Sequence, residues 1–343
     1  MSNPEKEITI YDIARHLNIS AATVSRGLMD HPSVNILTKQ KVQEAAQSMG
    51  YRSNHLASNL RKKRSNIIGL IVGNLDSSFM TNIIVGIDKV LSEANYNLVI
   101  SQSLDNIGKE VQIAKAMYNN RVDGLLVSLA YDTENAEHFE SFVKRGIPLV
   151  YFDRIFPHEK CPGVEIDNAK AAYEVTEHLI RQGCRRIVHI TAYRLSSVAL
   201  DRFNGYKQAL LDYNIPYDES LVLYTELGIE DGARAAQTIL NMPNRPDGIF
   251  AINDACAVGC LKELRKNGVS IPDEIAIAGF NDDAVADIVE PGLTTVIYKG
   301  YEMGEVAAQI LVEKLNNTYT ATSGNKVLLK SELIIRESSL RRK

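Results

Sequence analysis

The stretch Tyr11 to Leu28, YDIARHLNISAATVSRGL, constrains this chain more than any other. Ile13, Ala14 and Leu17 put apolar groups on one face of a first short helix, and Val24 and Leu28, four apart, do the same for a second. Asn18 and Ile19 form the turn, and Ser20 is placed to cap the second helix by accepting an unpaired backbone N–H. This is the sequence form of a helix-turn-helix. Ala21, Ala22, Thr23, Ser25 and Arg26 remain for the outward face of the second helix. Small side chains there let a helix approach base edges, while hydroxyls and a guanidinium bond bases or phosphates. A helical hairpin that only packs has the same pattern, so both readings stand on this stretch alone.

The next forty residues favour DNA. The run Thr38 to Met49 reads as a third helix, capped by Thr38 and ended by Gly50. Asn54 to Leu60 has length for one or two helical turns, too few to be stable in isolation. The basic cluster Arg61, Lys62, Lys63 and Arg64 comes next. Residues 1–65 carry ten Lys/Arg against five Asp/Glu, and the remainder 28 against 37. A basic head on an acidic body suits a polyanion-binding module joined to a separate domain.

At 343 residues the chain exceeds one ordinary core and implies two or three. No segment approaches the roughly 18 uninterrupted apolar residues of a membrane span, and the N-terminus lacks a charged-then-apolar signal pattern. A cytoplasmic protein with no membrane partner is expected. The four cysteines form no framework, and no His or Cys pairing has zinc-ligand spacing. Neither a metal nor a cofactor is expected.

From Ile67 short apolar runs alternate with amphipathic helices. Strands are expected at Ile67–Val72, Leu98–Ser101, Gly124–Ser128 and Pro148–Phe152, with helices near Thr81–Glu93, Lys109–Asn119 and Glu134–Lys144. A second series has strands at Gly163–Ile166, Arg186–Ile190, Leu221–Tyr224, Gly248–Ala251 and Ile275–Ala278. Helices near Ala169–Arg181, Asp201–Leu211, Asp231–Leu240 and Ala255–Lys266 separate them. This order implies parallel sheets covered by helices on both faces, in two lobes.

Ligands of open α/β sheets gather beyond the carboxyl ends of strands. Those ends carry Asn74, Asp76 and Phe79; Asp153 and Arg154; Asp167 and Asn168; Asn253 and Asp254; Asn281 and Asp282; and Arg202 opens a helix beyond the loop Tyr193–Ala199. Carboxylates, amides and a guanidinium suit vicinal hydroxyls, and Phe79 suits the apolar face of a sugar ring. Asp and Asn at such places equally suit capping the helix after them.

The runs Thr9-Ile10-Tyr11-Asp12-Ile13-Ala14, Ala22-Thr23-Val24-Ser25-Arg26, Gly50-Tyr51 and Asn54 to Leu60 together resemble the LacI/GalR family of transcription regulators, over essentially the whole chain. The chain departs from the family's usual residues at Met29, often Asn, and at Ser53, often Pro. The resemblance implies an N-terminal all-α helix-turn-helix head (residues 1–53), a hinge helix and basic linker (54–65), and an α/β effector-binding and dimerisation domain (66–343). That domain would be two-lobed and periplasmic-binding-protein-like, with two doubly wound parallel sheets. Its first lobe would take about 66–162 and 294–323, and its second about 163–293 and 324–343, so that the chain crosses three times. The last strand, about Lys326 to Ile335, would lie in the second lobe.

By that resemblance Ala21 and Ala22 start a recognition helix in the major groove, and Leu60 wedges a base step in the minor groove. The expected DNA contacts are Tyr11, Ser20, Ala21, Ala22, Thr23, Ser25 and Arg26 in the head, and Asn54, His55, Ala57, Leu60 and Arg61 in the hinge. The expected effector contacts are Asn74, Asp76, Phe79, Asp153, Arg154, Asp167, Arg202, Asn253, Asp254 and Asn281. Asp167, Arg202 and Asn253-Asp254 match the family's effector positions best, and Asn281 stands where many relatives have Asp. Ser196 and Val198 replace groups that purine-binding members carry, so a sugar is the expected effector.

The function implied is that of a homodimeric repressor on a palindromic operator, controlled by a small molecule between its lobes. No nucleotide-binding glycine motif, metalloprotease motif or nucleophile elbow is present, so an enzyme is not expected. A free-standing binding protein is the rival reading, and it accounts for neither the helix-turn-helix nor the basic head. Ile83, Ile84, Ile87 and Leu91 form an apolar face that suits either a dimer interface or the core. A phosphorylated carrier-protein partner, bound by basic residues on the first lobe in some members, is not supported, because Val296–Glu305 offers only Lys299.

Overall fold

The computed structural model describes residues 8–51, 64–75, 77–193, 196–320 and 326–341, in two compact units, Met1–Ser65 and Asn66–Lys343. In the first unit, α1 (Ile10–Leu17), α2 (Ala21–Leu28) and α3 (Ile36–Ser48) enclose a small core of Ile13, Ala14, Val24, Val42, Ala45 and Ala46. Asn18 takes a left-handed conformation that stops α1 and makes the turn (φ 52°). Asn35, not Thr38, caps α3 through Leu37 N at 2.9 Å, so this helix starts two residues before its expected position. Ile36 and Leu37 are exposed on its first turn. Gly50, at φ +67°, closes the helix, and Tyr51 N reaches back to Ala46 O at 2.8 Å.

The second unit is built on two parallel sheets. The first has six strands: β1 (Ile67–Val72), β2 (Asn97–Gln102), β3 (Gly124–Val127), β4 (Leu149–Phe152), β5 (Gly163–Ile166) and β11 (Lys326–Leu329), in the order β11-β5-β4-β3-β1-β2. The second has four: β6 (Ile187–Ala192), β7 (Val222–Thr225), β8 (Gly248–Ala251) and β9 (Ala276–Ala278), in the order β7-β6-β8-β9. The near-continuous apolar strands, such as IIGLIV in β1, are those of sheets covered on both faces. A two-stranded antiparallel ribbon, β10 (Thr295–Ile297) with β12 (Glu332–Ile334), continues the β9 margin through Ala278↔Thr294 and Asn281↔Ile297.

Helices come after their strands as the alternation requires: α4 (Ser78–Glu93), α5 (Ile107–Asn119), α6 (Glu140–Lys144), α7 (Asn168–Arg181), α8 (Ser197–Asp212), α9 (Ile229–Leu240), α10 (Asp254–Lys266), α11 (Ala284–Ile288) and α12 (Gly300–Leu315). The expected helix Glu134–Lys144 is instead a 3₁₀ turn, Glu137–Phe139, running into the short α6. Helix α12 packs along α4 closely enough that a Cβ at Gly86 or Gly304 would strike the facing backbone. Ile83, Ile87 and Leu91 are fully buried beneath this contact, which settles their role as core.

Residues 294–297, expected in the first lobe, instead continue the margin of the second sheet, and two strands expected in the second lobe lie in the first. Gly163–Ile166 belongs to the first sheet, paired with β4 and β11, not to the second lobe. Strand–helix alternation orders strands along the chain but carries no mark of which sheet each joins. The C-terminal run does not stay in the second lobe as one strand: Lys326–Leu329 pairs with β5 in the first sheet, and only Glu332–Ile334 turns away to pair with β10. The chain therefore passes between the sheets after β5, after β10 and after β11.

Candidate functional site

In the head, the sequence sets the geometry of the second helix. Ser20 Oγ accepts from Thr23 N at 3.1 Å and shares a hydrogen bond with Thr23 Oγ1 at 2.8 Å, so both hydroxyls define the start of α2. Gly27 is buried against Val42, and a Cβ there would lie 3.3 Å from Val42 Cγ2, which brings α2 tightly onto α3. Tyr11, Ala22 and Arg26 are exposed, and Thr23 and Ser25 are half-buried. Ala21 departs from a purely outward position: it is half-buried and packs on the core of the head. Arg26 makes no ion pair among the described residues, whereas Lys39 is bound to Asp30 at 2.7 Å. An uncommitted guanidinium and small groups on one helix form a surface that fits a groove. Asn54, His55, Ala57, Leu60 and Arg61, the expected hinge contacts, lie outside the described residues, as does Asp76.

In the second unit, the carboxyl ends of β1, β3, β4, β5 and β8 bring a polar and aromatic cluster together. Asp153 follows β4 in a left-handed conformation (φ 58°) and is buried. Its Oδ1 accepts from Tyr298 Oη at 2.9 Å and its Oδ2 from Ser128 Oγ at 3.1 Å, with Arg154 Nε 3.6 Å away. Arg154 donates to Asp105 Oδ1 at 2.5 Å and lies 4.2 Å from the centre of the Tyr131 ring. Gly73 makes room for this pair, since a Cβ there would overlap both Arg154 and Asp105.

Arg202, on α8 and 4% exposed, donates from Nε to Asn168 Oδ1 at 3.0 Å and from Nη1 to Ile252 O at 2.6 Å. Its guanidinium lies 3.5 Å from the centre of the Phe280 ring and 5.5 Å from that of Tyr298. Phe79 stacks on Tyr298 at 4.2 Å, so one face of the ring expected to cover a sugar is already taken. Burial pushes the Tyr298 phenol well above its ordinary range, and the Asp153 charge adds to the shift. It therefore donates, and does not ionise, at neutral pH.

The remaining expected contacts are held differently. Asp167 is exposed and caps α7 through Lys170 N at 3.0 Å. Asn253 caps α10 through Cys256 N at 2.9 Å and donates to Leu227 O at 3.1 Å. Both therefore do what a capping residue does. Asn74 is exposed and accepts from Leu75 N at 2.9 Å. Asn281, at φ 114°, is tied to the ribbon by its own N–H, which donates to Val296 O at 3.1 Å. Asp254 is fully buried with both oxygens engaged, by Thr295 Oγ1 at 2.7 Å and Asp283 N at 2.8 Å, and burial pushes its pKa up to about 7.

The cluster also holds residues outside the expected set: Asn168, Tyr298, Phe280, Ser128, Asp105 and Tyr131. Asn168, Ser128 and Phe280 stand at strand ends and were within reach of that rule. Tyr298, Asp105 and Tyr131 sit in connections with no periodic signal. Among the described residues, no group of three or more His, Cys, Asp or Glu is placed to hold a metal, and no helix is long and apolar enough to cross a membrane.

Residues 9–54 match the family model described as bacterial regulatory proteins, lacI family, and residues 176–339 match a periplasmic binding protein-like domain. Catabolite control protein A of Priestia megaterium is 30% identical over 310 residues, spanning 90% of this chain and 93% of that protein. Among solved structures, the transcriptional regulator CelR in complex with cellobiose matches with a TM-score of 0.73 and 27% identity, covering 97% of this chain and 100% of that one. The lac repressor dimer bound to operator and the anti-inducer ONPF matches in fold with a TM-score of 0.86 at 20% identity, covering 98% of this chain and 100% of that one.

Proposed function

The chain belongs to the LacI family of bacterial regulatory proteins, a DNA-binding transcription regulator and not an enzyme, and from that premise we propose that it is a homodimeric repressor whose operator affinity is set by a neutral, polyhydroxylated effector, a sugar or sugar derivative, bound between the lobes. The observation that carries this reading is the position of Arg202. It is held by Asn168 and Ile252 O over Phe280, beside a Tyr298 that is bonded to Asp153. Donors, acceptors and aromatic faces converge there from both sheets, as a ligand with vicinal hydroxyls and an apolar ring face requires.

The charge balance supports a neutral ligand. Arg154 is matched by Asp105 and Asp153, and Arg202 lies in the field of Asp153 and Asp254, so the two guanidiniums are balanced without a phosphate or carboxylate from the ligand. The cellobiose complex of CelR is in keeping with a carbohydrate. For the dimer, the support is exposed apolar surface. β2 is the outer strand of the first sheet with Val99 and Ile100 exposed, and Ile288 on α11 is 76% exposed. Unpaired edge strands of this kind ordinarily acquire a cover.

On DNA, two heads would read matching half-sites, because two-fold symmetry in the protein imposes it on the operator. The segments 54–60 would pair at the centre, with Leu60 as the wedge. Effector binding would favour one lobe arrangement over another and so shift DNA affinity by its differential affinity for the two. Selection of bound duplexes from a randomised pool by the full chain tests the reading. A palindrome with a fixed central step is expected, and addition of neutral mono- and disaccharides should change occupancy in the native protein but not in Arg202→Ala. Absence of any enriched sequence, with and without the sugars, would overturn it.

A further inference from the structure

β4 has a second cluster at its other end. There a cavity of about 400 Å³ is lined by Ile147 and Pro148, by Cys161, and by Lys160, Lys314 and Tyr319. Its volume is that of a small-ligand pocket. Leu149, the first residue of β4, also lines it, whereas Asp153 follows the last; the two ends are about 13 Å apart at ~3.3 Å per residue. The cavity is thus separate from the effector cluster, though one strand reaches both.

Its charge is uncompensated, whereas that of the cluster is matched. Two lysines and no carboxylate line it, and neither lysine makes an ion pair among the described residues. The Lys314 ammonium donates to the backbone carbonyl of Lys160 at 3.2 Å and lies 5.1 Å from the centre of the Tyr319 ring. Glu140, which acts electrostatically on Cys161, is itself held by Lys144 at 3.5 Å and His158 at 3.6 Å. The Cys161 thiol, pushed up to about 11 by burial, is neutral and does not repel an anion. Burial also lowers the Lys314 pKa, the mark of an ammonium partly removed from water without a counter-charge.

We propose that this cavity is a second ligand site, which takes a small phosphate-bearing anion between Lys160 and Lys314 with Tyr319 and the apolar wall against its uncharged part. The competing account is structural: Lys314 stands in the last turn of α12, where a cation is favoured by the helix dipole. Under that account its replacement changes stability and no ligand is involved.

Calorimetric titration of the full chain with sodium pyrophosphate and with glucose 6-phosphate, against sulfate at equal ionic strength, separates the two. Saturable binding of one of the phosphates at one per chain is expected, with Kd below about 1 mM. Lys314→Met and Lys160→Met should each weaken it at least about tenfold, with operator binding unchanged. Lys160 is exposed, so its replacement keeps the test free of folding effects. No saturable binding of either phosphate below about 10 mM overturns the proposal. Binding that survives both substitutions also overturns it, since the anion would then lie elsewhere, as on the basic head.

Discussion

The hydroxyl of Tyr298 donates to Oδ1 of Asp153 at 2.9 Å, joining the segment that leaves the β10 ribbon to the carboxyl end of β4. The bond is fully buried, and the Tyr298 ring lies between Phe79, stacked at 4.2 Å, and Phe280, edge-on at 6.2 Å. One side chain thus touches a first-lobe helix, a first-lobe strand end and a second-lobe strand end. The link lives in tertiary structure, because residues 153 and 298 are 145 positions apart.

Tyr298→Phe keeps the stacking and removes the donor. The Asp153 carboxylate then retains Ser128 but loses a buried partner, which should cost about 1–3 kcal/mol of stability. Urea unfolding monitored on the native protein and the variant gives the difference. Equal midpoints would mean that water replaces the phenol without penalty.

Asp254 sets a pH dependence with a definite sign. Its pKa rises from an ordinary 3.8 to about 7 on folding, because burial disfavours the charge. Between these values the folded protein holds a proton that the unfolded chain has released. The group's contribution to stability is therefore full below about pH 4 and is lost as pH rises through 7. Between about pH 6.5 and 8.5 the loss should be about 1 kcal/mol, and Asp254→Asn should flatten that slope. This window lies above the range of His189, which burial holds near 4 and which acts with the opposite sign. A native slope that persists in the variant would assign the dependence to other groups.

Arg26 is exposed on α2, the proposed recognition helix. Arg26→Ala should weaken binding to specific and non-specific duplexes alike, and make the slope of log affinity against log salt shallower by about 0.9, the loss of one phosphate contact. Titrations at several salt concentrations on both kinds of duplex check this. A loss confined to the selected operator would assign Arg26 to base reading.

Features that rest on local chemistry were legible along the chain. The helix-turn-helix arises from apolar spacing and from Ser20, whose hydroxyl can cap only the helix immediately after it. The two series of strands arise from apolar runs bounded by turn residues, and β1, β5 and β8 begin and end at their expected residues. Arg202 stood out through its match to the family's effector positions; the helix that carries it begins at Ser197, not near Asp201 as expected, so Arg202 lies more than a turn inside α8. Asp167 and Asn253 show the limit of the same rule: each satisfies helix N–H groups, a role their positions predict as well as ligand binding.

Long-range packing settles which sheet each strand joins and which side chains meet. Gly163–Ile166 pairs with β4, the strand just before it, and Lys326–Leu329 pairs with Gly163–Ile166 from more than 100 residues away; no local pattern records either choice of sheet. The same holds at the site. Tyr298, Asp105 and Tyr131 lie in irregular connections, and their partners Asp153, Arg154 and Arg202 come from distant parts of the chain. Periodicity reports the face a residue turns inward. Only the closed fold determines what it finds there.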